Sequence, residues 1–312
     1  MKKIFRFLVF LLIIYSLSAV GCFAYTFFDG DTANDGEFDY YKPARLLYEM
    51  FGGVPEKTNF VIFGTDEGKT RTDTIMAGSY NKETGTLSFV SIPRDTIVTV
   101  DNETYDKMCK NYPEPDGYSM KLNSVYHYTK EDFGADVAVS EVEKIIGADI
   151  DYYCIVDFEG LRYIVDSVGG IDFDVPCDMY YNDPEQDLYI ALDAGEQKID
   201  GDMAEQLLRF RSGYANADLG RVEVQQEFMK AFVNQVANKK SVIKNAKKYI
   251  KVYNDYVETD MSVARAIKYA SEAKNIKTTK TLTAPGYTDY VDEISGYVID
   301  DEDGVLDKIF KK

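Results

Sequence analysis

Asn59-Phe60-Val61-Ile62-Phe63-Gly64, followed by Thr74–Tyr80 and Thr86–Ile92 on either side of Asn81-Lys82-Glu83-Thr84-Gly85, decides the fold class. The first stretch is a short apolar run, rich enough in large side chains to be a buried strand. The other two flank a polar connection with glycine at its exit, which is hairpin chemistry. Further along, Leu122–Tyr128 and Val137–Ile146 read as helices and Tyr152–Phe158 as a strand. Leu161, Ile164, Val165 and Val168 recur at helical spacing until Gly169-Gly170 stops them, and Ile171–Val175 is another strand. Met203, Ala204, Leu207 and Leu208 mark a short amphipathic helix. A long helix runs from about Ala217 to Val236, with Val222, Met229, Phe232, Val233 and Val236 on one side. Helices near Val242–Tyr253 and Ser262–Ala273, a strand at Thr279–Ala284 and a helix at Val305–Phe310 complete the chain. Interleaved strands and helices imply an α/β domain, a mixed central β-sheet layered between helices in α-β-α order.

Upstream of that domain the sequence changes character. Lys2, Lys3 and Arg6 precede an apolar run from Phe7 to about Phe28, close to the ~20 residues that a membrane-spanning helix needs. Cations before the run and Asp29, Asp31, Asp35, Glu37 and Asp39 after it place the tail inside and the body outside. An uncleaved anchor is preferred over a signal peptide, because the run exceeds the roughly 7–15 apolar residues of a usual signal. Lipidation at Cys22 is a third option. A polar stalk and a short helix opening at Pro43, with Leu46, Leu47, Met50 and Phe51 on one face, lead to Gly52-Gly53. The expected organisation is an anchor over residues 1–28, a stalk with a short helix over 29–56, and one extracytoplasmic domain over 57–312.

Composition narrows the function. Asp and Glu number 53 against 35 Lys and Arg, a formal charge of -18. A field of that sign disfavours nucleic acid, whose binding needs broad basic patches, yet it tolerates one small cationic pocket. A single histidine, His127, gives no basis for a nucleophile–histidine pair and reads as a solvated helix residue. Neither a GxSxG elbow nor a Walker loop occurs. Cys109, Cys154 and Cys177 lack CxxC spacing, so zinc is not indicated. Cys154 and Cys177 could pair outside the cell, or remain buried thiols.

The nine arginines carry the chemistry. Most sit in three clusters: Arg71-Thr72-Asp73-Thr74; Ile92-Pro93-Arg94-Asp95-Thr96; and Arg209-Phe210-Arg211, followed by Asp218 and Arg221. Guanidinium forks bind phosphate oxygens bidentately, and carboxylates can hold a metal that shares the charge. A phosphate or pyrophosphate site follows. Asp66, at the end of the first strand, would meet Asp73 if those strands are neighbours, an arrangement suited to magnesium; two turn-forming aspartates are the simpler alternative. Asp95 could orient Arg94 or Arg71. Arg209 and Arg211 would share one face if the preceding helix ends near Leu208 and the chain is extended there. Asp218, Arg221 and Gln225 share a face of the long helix, where Asp218 could instead be a cap. Lys121-Leu122-Asn123 adds a cation and an amide.

In this order, together with Gly64-Thr65-Asp66, Val156-Asp157-Phe158, Val165-Asp166-Ser167-Val168-Gly169-Gly170 and Gln225-Gln226, the motifs resemble those of the LytR–CpsA–Psr family of bacterial cell-wall enzymes, over roughly residues 57–237. The resemblance implies a phosphotransferase that moves an anionic glycopolymer, such as teichoic acid or capsule, from an undecaprenyl-diphosphate carrier to a peptidoglycan sugar hydroxyl with Mg2+ assistance. It assigns the diphosphate to Arg71, Arg94, Arg209, Arg211 and Arg221, the metal to Asp66 and Asp73, and the head-group site to Lys121, Asp218 and Gln225. Asp73 is its first choice for the base. A polyprenyl-diphosphate pyrophosphatase, a non-catalytic lipid-diphosphate binder and a membrane-anchored transcription attenuator are the competing readings. The resemblance leaves the polymer, the acceptor sugar, the oligomeric state and the role of the region after about Lys240 open.

Overall fold

The computed structural model describes residues 52–311, apart from 67, 69, 112–116, 185–187, 213, 215–217 and 239–245. The expected anchor, Cys22, the stalk and the Pro43 helix lie outside the described residues. Among the described residues no helix is long and apolar enough to cross a membrane.

The quoted stretch forms the middle of a six-stranded sheet. Strands β1 (Lys57–Thr65), β2 (Thr72–Asn81) and β3 (Thr86–Ile92) are successive antiparallel neighbours. The hairpin between β2 and β3 leaves through Gly85 at φ 69°, a left-handed position that favours glycine. Two crossovers make the sheet mixed: β6 (Tyr152–Val156) pairs parallel with β1, and β12 (Thr278–Thr283) pairs parallel with β3. A short β11 (Glu258–Thr259) completes the order β11-β6-β1-β2-β3-β12.

Both faces are covered, which is why β1 reads as a nearly continuous apolar run. Val61, Phe63, Ile75, Ala77, Val90 and Ile92 pack on one side against Val125 and Tyr126 of α2 (Leu122–Phe133) and Ala138, Val142 and Ile146 of α3 (Asp136–Ile146). On the other side Phe60, Ile62, Met76, Tyr80 and Phe89 meet Met229 and Val233 of the long helix α6 (Asp218–Asn238). The α-β-α layering is therefore present. Beside the sheet, α4 (Phe158–Ser167), β7 (Ile171–Val175), β8 (Met179–Asp183), β9 (Leu188–Leu192), β10 (Gly195–Ile199) and α5 (Gly201–Arg209) enclose a second core with Val224 and Phe228 of α6. The remaining helices are α1 (Asn102–Asn111), α7 (Ala246–Tyr256), α8 (Val263–Glu272) and α9 (Val305–Phe310).

The sequence reading has no counterpart for α1, β8, β9, β10 or β11, and the structure differs from it at three further places. The strand read as Tyr152–Phe158 stops at Val156, because Asp157 Oδ1 accepts the Gly160 N–H at 2.8 Å and caps α4. Short strands β4 (Ile97–Thr99) and β5 (Ser119–Lys121) pair beyond the sheet edge. A hairpin of β13 (Gly286–Val291) and β14 (Ile294–Ile299) turns on Asp292 and Glu293, both at positive φ (49° and 66°), without the glycine that normally announces such a turn. Cys154 and Cys177 are free thiols and not a disulfide. Burial pushes the Cys154 thiol up to about 12.

Candidate functional site

The carboxyl ends of β1, β3, β6 and β12 and the start of β2 lie at one edge of the sheet, and the chain places its arginine-bearing segments there. In open α/β sheets this is the edge at which ligands bind. The register pairs Thr65 with Thr72 across a bulge, so Asp66, just past β1, and Asp73, the second residue of β2, lie at the same end of adjacent strands. Their carboxylates are engaged differently. Asp66 Oδ1 accepts the Thr70 N–H at 2.6 Å, and its other oxygen accepts the Thr70 hydroxyl. Asp73 Oδ1 accepts from Arg94 Nη1 at 2.6 Å, an ion pair with side chains 32% and 23% exposed. Arg94 follows Pro93, whose fixed φ directs the chain out of β3.

Asp95 does not orient Arg94 or Arg71. Its Oδ1 lies 3.0 Å from Lys121 Nζ, because β4 and β5 pair antiparallel and bring Lys121 opposite Ile97, beside that turn. Asn123 N–H donates to the Arg94 carbonyl at 3.1 Å and Leu122 N–H to the Thr96 carbonyl at 2.7 Å. Lys121 is thus tied to the Arg94 segment by backbone as well as by charge.

Helix α5 ends at Arg209, one residue later than expected, and Phe210 is extended at φ -64°, ψ 136°. Arg209 Nη1 donates to Glu205 Oε1 at 2.8 Å, and its guanidinium lies 5.0 Å from the centre of the Phe158 ring, just beyond the end of β6. Glu205 also pairs with Arg162, so two arginines share one carboxylate. Arg162, Glu205 and Phe158 were not identified as site components from the sequence; the Glu205–Arg209 spacing of four on a helix was the available signal. Gln225 fastens α6 across this edge: its Nε2 donates to Thr74 Oγ1 at 3.2 Å and to the Leu208 carbonyl at 3.4 Å. Gln226 donates to Ser91 Oγ and Thr283 Oγ1, both at 3.1 Å, binding the helix to β3 and β12.

The contacts therefore link Asp73–Arg94, Thr74–Gln225–Leu208, Arg209–Phe158 and Asp95–Lys121 along one edge. Arg221 is buried at 4% exposure, one helical turn before Gln225. Arg71 and Arg211 are exposed, next to Thr72 and Phe210 respectively. Asp218 opens α6, and its side chain lies outside the described residues. His127 is half-buried on α2 and edge-on to Tyr128, not a solvated residue as expected.

Among the described residues no group of three or more His, Cys, Asp or Glu could hold a metal ion. Two carboxylates alone suit magnesium only when substrate phosphates and water complete its shell. Each carboxylate oxygen of Asp66 and Asp73 keeps a lone pair beyond the bonds named above, so these two are the residues that could contribute to such a site.

The LytR_cpsA_psr family model matches residues 41–310. The polyisoprenyl-teichoic acid–peptidoglycan teichoic acid transferase TagV of Bacillus subtilis (strain 168) is 24% identical over 99% of this chain and 78% of its own length. The corresponding TagU of Oceanobacillus iheyensis is 27% identical, covering 87% of this chain and 79% of that protein. The solved structure of TagT bound to LIIa-WTA shares the fold, with a TM-score of 0.60 at 18% identity over 81% of this chain and 89% of that one.

Proposed function

The chain belongs to the LytR–CpsA–Psr family, and on that premise we propose that it transfers an anionic glycopolymer of the teichoic acid kind from an undecaprenyl-diphosphate carrier to a peptidoglycan sugar hydroxyl, outside the membrane that holds its N-terminal anchor. The observation that carries this reading is the line of contacts joining Arg94, Gln225 and Arg209 at one sheet edge. The two named relatives are transferases of polyisoprenyl-linked teichoic acid to peptidoglycan.

In the reaction the acceptor hydroxyl forms a new O–P bond to the polymer-bearing phosphorus. The bond from that phosphorus to the bridging oxygen breaks, and undecaprenyl phosphate leaves. Arg94, Arg209, Arg211 and Arg221 hold the diphosphate oxygens, with Arg71 at the rim. Lys121, Asp218 and Gln225 line the head-group side. Phosphoryl transfer relies on positioning and charge neutralisation, which guanidinium groups supply without histidine. Asp66 and Asp73 would hold Mg2+, which when bound neutralises developing charge on the phosphates.

Asp73 is the preferred base. Arg94 Nη1 lies 2.6 Å from its Oδ1. An arriving diphosphate competes for the same fork and frees that oxygen to accept a hydrogen bond from the acceptor hydroxyl. Burial of Arg221 makes its charge act through a less screened medium.

The test is reconstitution of the full chain in detergent micelles with lipid-diphosphate-linked polymer and peptidoglycan. Polymer joined to peptidoglycan by a phosphodiester supports transfer. Free phosphorylated polymer would assign a pyrophosphatase instead, and donor binding without turnover a lipid-diphosphate binder.

A further inference from the structure

The hairpin β13–β14 lies in the stretch after Lys240, where the sequence carries no site motif. It is nevertheless built onto the segment that bears Arg94 and Lys121. Tyr297 N–H donates to the Asp95 carbonyl at 2.9 Å, and Thr96 bridges to Tyr297. Gly296 sits so close to that segment that a Cβ there would stand 2.6 Å from the Asp95 carbonyl oxygen and 2.5 Å from Ile97 Cγ1. Only glycine allows this approach without displacing the backbone between Arg94 and Ile97.

The other end of the hairpin holds the other half of the cluster. Ser119 Oγ donates to Asp292 Oδ2 at 2.6 Å and lies 3.2 Å from Thr99 Oγ1. Ser119 opens the three-residue strand that ends at Lys121, so its position and that of Lys121 move together. At its base the hairpin is anchored to the sheet. Tyr297 OH donates to the Ala284 carbonyl at 2.8 Å, and Ala284 N–H donates to the Ser91 carbonyl at 2.9 Å on β3. The path from β3 through Arg94, Asp95, β4, β5, Asp292, Tyr297 and Ala284 back to β3 is therefore closed.

We infer that the C-terminal hairpin is a clamp that sets the position of the Arg94–Asp95–Lys121 cluster for diphosphate binding, with Asp292 as a positioning residue; this rests on the function proposed above. Asp292 lies 67 positions beyond Gln225, the last residue used for that proposal, and its side chain bonds to Ser119 rather than to any group assigned to substrate. Its place in the turn is consistent with the role. The backbone is left-handed at both central turn residues, where Asn-Gly would be the least strained choice. An aspartate there supplies the acceptor that reaches Ser119.

Two substitutions separate the bond from the turn. Asp292→Gly keeps the left-handed backbone and removes the acceptor; Asp292→Asn keeps both. Calorimetry of the full chain in detergent, with farnesyl diphosphate as the probe, gives the affinities. Asp292→Gly is expected to weaken binding about threefold or more, within the range of mutations that act through a contiguous network, while Asp292→Asn stays at the wild-type value. In a Lys121→Ala background Asp292→Gly is expected to add nothing, because both act on one cluster. Equal affinities for the Gly and Asn variants overturn the inference, as does a full additive loss in the Lys121→Ala background, which marks general loosening of the fold. A wild-type chain that does not bind farnesyl diphosphate removes the diphosphate reading, and this inference with it.

Discussion

Replacing Arg94 by lysine separates charge from fork geometry. In the structure Arg94 Nη1 lies 2.6 Å from Asp73 Oδ1, and both side chains are largely covered, at 23% and 32% exposure. Lysine keeps the positive charge and can keep one contact to Asp73, so the fold should lose no more than about 0.5 kcal/mol, the usual range for a tolerated change of this kind. What it lacks is the second edge of the fork. A hydrogen bond to a charged partner is worth about 1.5–3 kcal/mol, so loss of one such bond to the diphosphate corresponds to a factor of about 10–150. The assay is transfer of labelled polymer to peptidoglycan by the reconstituted full chain, paired with a thermal melt of the same preparation. Arg94→Lys should melt with the wild type and transfer at least tenfold more slowly. Arg94→Ala should do worse on both, since it strands the Asp73 carboxylate at a cost of about 1 kcal/mol, or roughly 2–4 °C in a domain of this size. Wild-type transfer by Arg94→Lys would refute the assignment of a fork on phosphate. A fall in melting temperature that accounts for the lost activity would make Arg94 a structural residue.

Gln226→Leu removes an amide that joins Ser91 to Thr283 and leaves two hydroxyls without it; urea unfolding should show a loss of about 1–3 kcal/mol, and an unchanged midpoint would mean that α6 is held by apolar packing alone. Iodoacetamide at pH 8 should label exposed Cys109 quickly and leave Cys154 largely unmodified, since burial pushes that thiol up to about 12; peptide mass mapping gives the answer, and reductant should not shift the melting temperature because Cys154 and Cys177 are not bridged. Tyr126, Tyr214 and Tyr269 are each pushed up to about 12, first by burial. The native state keeps protons that the unfolded chain loses near pH 10, so their contribution to stability is complete below that pH and disappears as pH rises towards 12. Melts between pH 9 and 12 should fall steadily, and a Tyr126→Phe variant should fall less steeply than the wild type.

The sequence reading found the elements whose signals are local and repeated. The β2–β3 hairpin carried polar turn residues and glycine, and β1 a run of large apolar side chains; α6 was legible as a long helix, but its apolar residues divide between two cores, Met229 and Val233 in one and Phe232 and Val236 in the other, and do not share one side. The hairpin β13–β14 was missed because Asp292-Glu293 hides a left-handed turn in residues that usually avoid it, and almost every β13 side chain is exposed, so no alternation marks the strand. The site was legible at the level of residue type. Arginines beside carboxylates single out the residues of the candidate site, whose ligand remains a proposal, and the order of the motifs identifies the family. Partnership was not legible. The sequence offers Asp95 either Arg94 or Arg71, yet the antiparallel β4–β5 unit presents it to Lys121, 26 positions away. Likewise, nothing local foretold that Gln225 would reach both Thr74 and Leu208. Such contacts depend on how distant strands are ordered in the sheet, and that order is set by the core as a whole.

The most direct test of the account is a structure of the full chain with a polyprenyl diphosphate bound. The two phosphates should lie against the guanidinium groups of Arg94 and Arg209, with Lys121 and Gln225 beside them, at the edge where β1, β3 and β6 end. A diphosphate seated on another face of the domain, with Arg94 still closed on Asp73, would contradict it.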